Sequence, residues 1–249
     1  MGERFFNSYK EIVGIKAEDY ARAVCYINAL KATARIAYES IYVIDFKARR
    51  FLYVSPNPMF LGDYKPEEVE ELGYEFYTKM VPKEEIDLIL EVEEVSHQFL
   101  HRQPIEERPL LTLSYDFHIN NCGHIQLINH RMTPLIVADN GEVWLTLCYV
   151  SMSNNNKPGN VMIRKQGESG YWIYNLESKR WIKHPDIVLS EAEKEVLLMS
   201  ARGLTIDQIA DTTKRAKDTI KSRRRSLFEK LGVKSITEAL AFAVNHKLI

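Results

Sequence analysis

Residues 186–249 contain three helix-start signals, and this pattern restricts the fold more than any other feature of the chain. In a capping box, a Ser or Thr accepts a hydrogen bond from the amide three residues later, while a Glu or Gln at that later position reaches back. The boxes pair Ser190 with Glu193, Thr205 with Gln208, and Ser235 with Glu238. Together with a basic segment between the last two boxes, they predict an all-α domain of four short helices.

The third of these helices, predicted at about 217–231, carries a strong excess of positive charge. Residues 214–230 include eight Lys and Arg residues against two acidic residues, a net charge of +6. Three apolar residues spaced seven and four apart share one helix face: Ile220, Leu227 and Leu231. A helix seated on a small core by one side, with a cationic outer side, fits the DNA major groove. A solvated charged surface is the alternative interpretation.

The distribution of charge along the chain also distinguishes the C-terminal region from the rest. The 249 residues carry a net charge of −1, yet twelve basic and nine acidic residues fall in 186–249, leaving that part at +3 and the remainder at −4. The three cysteines form no CxxC pair, which fits a reducing compartment. Without an apolar signal core or an uninterrupted apolar stretch of spanning length, we expect a cytoplasmic protein with no membrane partner.

Five segments of the C-terminal region carry a family resemblance: Leu189–Leu197, Ala201–Thr205, Ile209–Ala210, Thr219–Ser222 and Lys230–Val233. In residue type and spacing they resemble the LuxR-type helix-turn-helix DNA-binding domain, across essentially all of 187–249 without gaps. The resemblance implies a transcription regulator whose third helix is the recognition helix, with double-stranded DNA as its partner.

The resemblance also implies roles for individual side chains. The residues expected to reach base edges are Lys221, Ser222 and Arg225. The residues expected to meet phosphates are Thr219, Arg223 and Arg224. The fourth helix supports dimerisation in the family, which here assigns four residues to a homodimer contact: Ala239, Leu240, Ala243 and Val244. A dimer matches an inverted-repeat DNA site, and RNA polymerase is a further candidate partner of such a regulator.

The turn before the recognition helix departs from the family pattern. Thr213 and Arg215 stand where the family usually has Leu and Ile, and Ala216 stands where it has a capping Ser. An alanine N-cap costs about 1 kcal/mol, although Asp218 in the first turn partly compensates through its charge. These departures motivate an alternative function, a protein-interaction regulator with weakened or lost DNA binding.

The order of elements before this region is helix, strand, strand, helices and then three strands. The predicted strands are 41–45, 51–55, 111–119, 124–137 and 143–153. This order and the segment Leu61–Val69 resemble a PAS domain, which implies an antiparallel sheet that senses a small molecule, binds a cofactor or dimerises. The overall expectation is therefore an α+β chain, with a PAS-like antiparallel sheet domain followed by an all-α helix-turn-helix domain of four helices.

Four regions follow from these boundaries: an N-terminal extension (1–19), a PAS-like sensor or dimerisation domain (20–153), a linker with a short β-hairpin (154–185) and the LuxR-type domain (186–249). The linker assignment depends on the run of polar residues, Pro and Gly in 153–160. Three further short strands are predicted after it, and Trp172 and Trp181 are expected to pack them against one domain.

No cofactor or metal site is predicted from the residues. His97 and His101 are four apart on a predicted helix and suit a metal, but no third ligand is evident, so ordinary surface histidines are expected. Cys122 lies in a hairpin turn and does not match a flavin-reactive cysteine. Eight aromatic residues are candidates to line a small-molecule pocket, although filling of the core is favoured: Tyr42, Phe51, Tyr53, Phe60, Tyr115, Phe117, Trp144 and Tyr149.

Other classes of protein fit less well. A phosphorylation-controlled receiver domain requires a five-fold βα repeat, which the hairpin and late meander do not provide. An acyl-homoserine-lactone sensor, with a different α-β-α sandwich, stays open on pattern alone. An enzyme is not expected, because no phosphate-binding loop, Gly-x-Ser-x-Gly or His-Glu-x-x-His motif is present.

Overall fold

The chain divides into two units, the first ending at His184 and the second beginning at Pro185. The computed structural model describes residues 11–246 and 248–249. The first unit combines helices with one antiparallel sheet, and the second consists of helices around their own small core. The predicted α+β fold class is confirmed.

The first unit is built on an eight-stranded antiparallel sheet in the order β2-β1-β5-β4-β3-β6-β7-β8. Its strands are β1 Ser40–Asp45, β2 Arg50–Val54, β3 Leu111–Asn121, β4 His124–Val137, β5 Val143–Met152, β6 Gly159–Lys165, β7 Tyr171–Asn175 and β8 Arg180–His184. Its helices are α1 Ala17–Ala34, α2 Pro58–Leu61, α3 Pro66–Leu72, α4 Glu75–Met80 and α5 Lys83–His101, followed by a 3₁₀ turn, Ile105–Leu110.

Tight turns set the register of the central strands. Cys122 and Gly123 have φ values of 52° and 82°, so the β3–β4 connection uses the left-handed region that Gly favours. The pairing then runs without interruption from Asn121 opposite His124 to Leu113 opposite Met132. The hairpin turn expected at Cys122 is confirmed.

A buried carboxylate ties the first helix to the sheet. Asp45, at the end of β1, is fully buried and accepts hydrogen bonds from the Tyr20 hydroxyl (2.8 Å) and the Trp144 indole N–H (3.1 Å). The rings of Tyr20 and Trp144 also meet edge to face at 5.0 Å. Because a buried charge needs donors on its oxygens, this arrangement fixes where α1 lies on the sheet.

The segment 154–185, predicted as a linker with a short β-hairpin, contributes to the sheet of the first unit, and the three short strands predicted in it are present. Residues 159–184 form three strands that continue the same sheet, with β6 paired to β3. Asp116 on β3 explains the start of β6, since it accepts hydrogen bonds from the side chains of Asn155 (2.5 Å) and Asn160 (2.7 Å). The polar run on which the linker prediction depends therefore supplies the donors for a buried acidic group.

The expected packing of Trp172 and Trp181 is confirmed. Both rings contact Phe99 on α5, at centroid distances of 5.2 Å and 5.1 Å. This contact holds the outer strands β7 and β8 against the helix that covers the sheet.

Part of the predicted N-terminal extension packs on the first unit. Ile12 is buried in its core, and the Asn140 side chain donates to the carbonyl of Glu11 (3.0 Å). Residues 1–10 of that prediction lie outside the described residues. None of the helices in the described ranges is both long enough and apolar enough to cross a membrane.

The second unit has the four predicted helices, α6 Glu191–Ala201, α7 Ile206–Thr213, α8 Lys217–Leu231 and α9 Ile236–Asn245. The capping boxes of Ser190 and Thr205 are present at the starts of α6 and α7. At α9, Ser235 accepts from the amide of Glu238, but the Glu238 carboxylate reaches back to the amide of Lys234 instead. Local capping therefore accounts for three of the four helix starts.

Candidate nucleic-acid interface

The α8 helix is held by one apolar face. Ile220, Leu227 and Leu231 are buried, as their spacing predicts, and contact two small clusters that include Leu197 and Ile209 of the neighbouring helices. No described residue on the opposite side of α8 belongs to either cluster, so the polar side chains on that side point away from the unit.

The three residues predicted to reach base edges lie on that outer side. At about 100° per residue, Ser222 and Arg225 are opposite the buried face, and Lys221 is about a quarter turn from it. All three are exposed. The structure thus places Lys221, Ser222 and Arg225 together on one accessible surface, which we call the outer face of α8 and which also includes Asp218 and Glu229.

Two carboxylates on the outer face partner its cations. Asp218 lies 3.3 Å from the ammonium of Lys221, and Glu229 lies 2.8 Å from the guanidinium of Arg225. The hydrogen bond from Arg225 to Glu229 raises the pKa of that guanidinium further. The spacing of these carboxylates, three and four residues from the cations, is the sequence signal that predicts these pairs.

The three residues predicted to meet phosphates lie nearer the buried face. Arg223 is 4.0 Å from Glu195 of α6, and the guanidinium of Arg224 lies 5.3 Å from the ring centre of Phe228. Thr219 is half-buried. They flank the outer face on its two sides, so the six predicted residues form one continuous surface.

Glu193 anchors α8 to α6. Its carboxylate accepts hydrogen bonds from the Ser190 amide (2.8 Å) and hydroxyl (2.9 Å), from Ser226 (3.1 Å) and from Lys230 (2.8 Å). Burial by itself raises the pKa of this carboxyl, but these donors outweigh it and hold the pKa at about 2. The carboxylate that completes the capping box of α6 therefore also fixes the position of α8.

The turn before α8 has the weak points that the sequence indicates. Ala216 is the N-cap and provides no side-chain hydrogen bond. Thr213 satisfies its hydroxyl on the carbonyl of Ile209 (2.8 Å), and Arg215 is exposed rather than packed in the core. Lys214 adopts a left-handed conformation with φ 50° and ψ 44°, which is costly for a residue with a Cβ atom.

Replacing Lys214 by Gly is expected to stabilise the second unit by about 0.5–1 kcal/mol, because Gly adopts positive φ without steric cost. The free energy of unfolding from urea titration measures this. Lys214→Ala is the matched control, since it removes the same charge but keeps the Cβ atom. An equal gain in both variants would assign the effect to charge rather than to backbone conformation.

For two of the four predicted dimerisation residues, the structure corrects the prediction. Ala239 and Ala243 are fully buried in the core of their own unit, where they pack α9 against α6 and α8. Small residues at helical spacing allow this close helix contact, so they present no surface to a partner. Leu240 is half-buried and Val244 is 57% exposed, and the dimer contact stays a prediction for these two residues.

The histidines of the first unit have different environments. His130 is buried against the Tyr42 hydroxyl (2.6 Å), and burial lowers its pKa to about 3. His118 bonds Glu85 (2.6 Å). The expectation of surface positions is wrong for His97, whose side chain is 9% exposed and lies, with His101, against Glu142. Glu142 is the third group that the spacing of the two histidines did not reveal.

The aromatic residues considered for a pocket fill the core instead. Tyr42 and Phe60 stack at 4.5 Å, Phe51 and Tyr74 stack at 5.6 Å, and seven of the eight candidates are buried, with Tyr149 half-buried. A cavity of about 60 Å³ lies elsewhere in the unit, with mainly apolar walls and with Glu93, Ser96 and His97 among its lining.

Several solved structures are similar to this chain at low sequence identity. The first is Vibrio cholerae VqmA (14% identity, 89% of this chain and 88% of that chain, TM-score 0.30). The second is the N-terminal domain of a diguanylate cyclase with a PAS/PAC sensor from Marinobacter aquaeolei (15% identity, 46% and 94%, TM-score 0.33).

Comparison of sequences gives a more specific family assignment for the second unit. The Fimbriae Z protein of Salmonella typhimurium is 32% identical over 89 residues, which are 32% of this chain and 42% of that protein. The chain thus spans less than half the length of this relative. Residues 187–243 match the family model described as bacterial regulatory proteins, luxR family. The four-helix unit at the C-terminus of this chain is therefore a luxR-type regulatory domain.

Proposed function

We propose that this protein is a sequence-specific DNA-binding transcription regulator rather than an enzyme, with α8 inserted in the major groove. The observation that carries the proposal is the outer face of α8. Lys221, Ser222 and Arg225 lie together on the exposed side of a helix whose opposite side is fixed to the core. Lys and Arg suit guanine edges in the major groove, and Ser suits either kind of base.

The flanking residues complete a surface for the DNA backbone. Arg223 and Arg224 lie on opposite sides of the outer face, in the directions where the two walls of a groove would pass. Contacts of cationic side chains with phosphates release counterions, so the affinity is expected to fall steeply with salt concentration. The angular positions of these residues on one helix support the base-edge and phosphate roles that the family resemblance implies.

The first unit is proposed to receive a signal or to support dimerisation. Its PAS-like order of elements and its cavity favour a small-molecule ligand. A homodimer, with Leu240 and Val244 in the contact, would place two copies of α8 on an inverted-repeat site. We propose that the protein acts in the cytoplasm, where the DNA and RNA polymerase are found.

Selection of binding sites from random-sequence DNA tests the proposal. The full-length protein is incubated with the library at two salt concentrations, and bound DNA is sequenced. The expected result is enrichment of a palindromic site, with weaker binding at the higher salt concentration. Absence of any enriched site would favour the alternative, an interaction regulator that has lost DNA binding, for which the uncapped turn at Ala216 is the supporting observation.

Replacing Glu229 by Gln is expected to tighten DNA binding roughly threefold, a change within the small range that exposed ion pairs contribute. Glu229 lies on the outer face and engages Arg225 at 2.8 Å, so its removal frees the guanidinium and removes a charge that repels phosphate. Fluorescence anisotropy with the selected DNA measures the dissociation constant. Glu191→Gln, an equal change of charge away from α8, is the control, and equal tightening by both variants would contradict a specific role for Glu229.

A further inference from the structure

Three potential metal ligands converge where α5 meets the start of β5. His97 and His101 are four residues apart, so their side chains leave the same face of α5. The turn between β4 and β5 brings Glu142 to them, with its side chain only 3% exposed. The two Nε2 atoms are 3.0 Å apart, and they lie 3.3 Å and 3.2 Å from Oε2 of Glu142. The three atoms form a nearly equilateral triangle.

Hydrogen bonds alone do not satisfy this triangle. The Nε2 atom of an imidazole carries either one proton or one lone pair, directed along a single line. Each Nε2 atom here has two neighbours within hydrogen-bond distance. If both nitrogens donate to Glu142, two N–H groups face each other across 3.0 Å. If one nitrogen accepts from the other, its lone pair faces the carboxylate. At least one side of the triangle is therefore unfavourable.

A cation shared by the three atoms removes this conflict, because each ligand directs a lone pair at the same point. The distances also fit. In a tetrahedral site with bonds of about 2.0–2.1 Å, ligand atoms lie roughly 3.3 Å from one another. The observed separations are 3.0, 3.2 and 3.3 Å, so binding would require shifts of a few tenths of an ångström.

The surrounding residues hold the ligands in place. Arg108 donates hydrogen bonds to the backbone carbonyls of His101 and Gly141, which links the end of α5 to the residue before Glu142. This clamp fixes both backbone segments before any ion arrives. Its positive charge opposes a cation, so we expect weaker affinity than in closed sites with four protein ligands.

We infer that His97, His101 and Glu142 bind a divalent transition-metal ion, with Zn²⁺ as the ion that best fits two imidazoles and one carboxylate. Three protein ligands leave a coordination position open for water or for a bound molecule. His97 also lines the cavity of about 60 Å³, so a small ligand there would lie beside the ion. Metal binding at this site does not depend on the proposed binding of DNA.

Zinc titration of the full-length protein tests the inference. After removal of metal with a chelator, Zn²⁺ is added in competition with a chromogenic zinc indicator. The expected result is one Zn²⁺ per chain. His101→Gln and Glu142→Gln should each lower the affinity for Zn²⁺. The loss should be at least as large as the roughly 10- to 100-fold that follows removal of an outer-sphere partner. Far-ultraviolet circular dichroism of the metal-free variants checks that they fold, and His101, which is partly exposed, is the safer of the two substitutions.

Two matched controls give the test its specificity. His118→Gln breaks another His–Glu pair, that with Glu85, which has no second histidine among its described partners. Cys122→Ser removes an exposed thiol that is able to bind zinc adventitiously. Unchanged affinity in both controls supports the site. Equal affinity of wild type and His101→Gln, or a loss confined to Cys122→Ser, would overturn it.

Discussion

Replacing Lys221 and Arg225 together by alanine is expected to weaken specific DNA binding roughly 100-fold or more, since each contact with a base edge contributes about 1–3 kcal/mol. Both side chains are exposed on the outer face of α8, and their described partners, Asp218 and Glu229, lie on the same helix. The substitutions therefore remove the proposed DNA contacts without removing packing. Alanine also has the highest helix propensity, so α8 itself should persist.

The measurement is a binding isotherm on the DNA site selected by the wild-type protein, with unchanged thermal unfolding as the check on folding. A matched control is the double variant Lys31→Ala, Arg35→Ala, which makes the same change in net charge at exposed positions of the first unit. We expect it to retain wild-type affinity. If both double variants lose affinity equally, the loss reflects net charge, and the assignment of α8 as the recognition helix would be rejected.

Replacing Glu193 by Gln is expected to destabilise the second unit by roughly 3 kcal/mol at neutral pH, because a tenfold change in a proton-binding constant corresponds to about 1.4 kcal/mol. The pKa of the Glu193 carboxyl is about 2 in the folded protein, below its ordinary value of 4.5. The glutamine side chain lacks the charge that Lys230 and the Ser190 amide stabilise. Amide hydrogen exchange, followed by mass spectrometry, measures this change separately in residues 185–249.

The dependence on pH follows from the lowered pKa of Glu193. A group whose pKa is lowered by folding contributes its full stabilisation above the unfolded pKa, and that contribution is lost as the pH falls through the folded pKa. The advantage of wild type over Glu193→Gln should therefore be constant above about pH 5 and should disappear between about pH 4.5 and 2. The control is Glu191→Gln in the same helical turn, where the side chain is 90% exposed and a change within about 0.5 kcal/mol is expected. Equal destabilisation by both substitutions would show that helix-start charge, not the network of Glu193, is responsible.

Local signals in the sequence were sufficient to predict many helix and strand boundaries of the first unit. Gly73 and Pro82 lie where the helices between residues 66 and 101 are interrupted, because Gly adopts the positive φ at which α3 ends and Pro has no amide proton. The candidate surface on α8 was predictable for the same reason, since positions on one helix follow from its period. The ion pairs of Lys221 with Asp218 and of Arg225 with Glu229 follow from the same period, so the sequence was sufficient to predict them too.

The positions that were missed from the sequence involve contacts between distant parts of the chain. Ala239 and Ala243 have the small apolar side chains of either an interface or a core, and only the packing of α9 places them inside. Likewise, the polar residues around Asn155 look like those of a linker until Asp116, 39 residues earlier, accepts a hydrogen bond from one of them.

The luxR-type unit is the part of this protein that its amino-acid order specifies most directly, including the four helices, the basic third helix and the residues on the outer face of α8. These features follow from hydrogen bonds and side-chain spacing within three or four residues, which leave a recognisable pattern. The continuation of the sheet through β6–β8 and the meeting of Glu142 with His97 and His101 emerged only from the folded chain. The contacts of Glu142 span 45 and 41 positions, and their geometry depends on the complete fold of the first unit rather than on any local pattern.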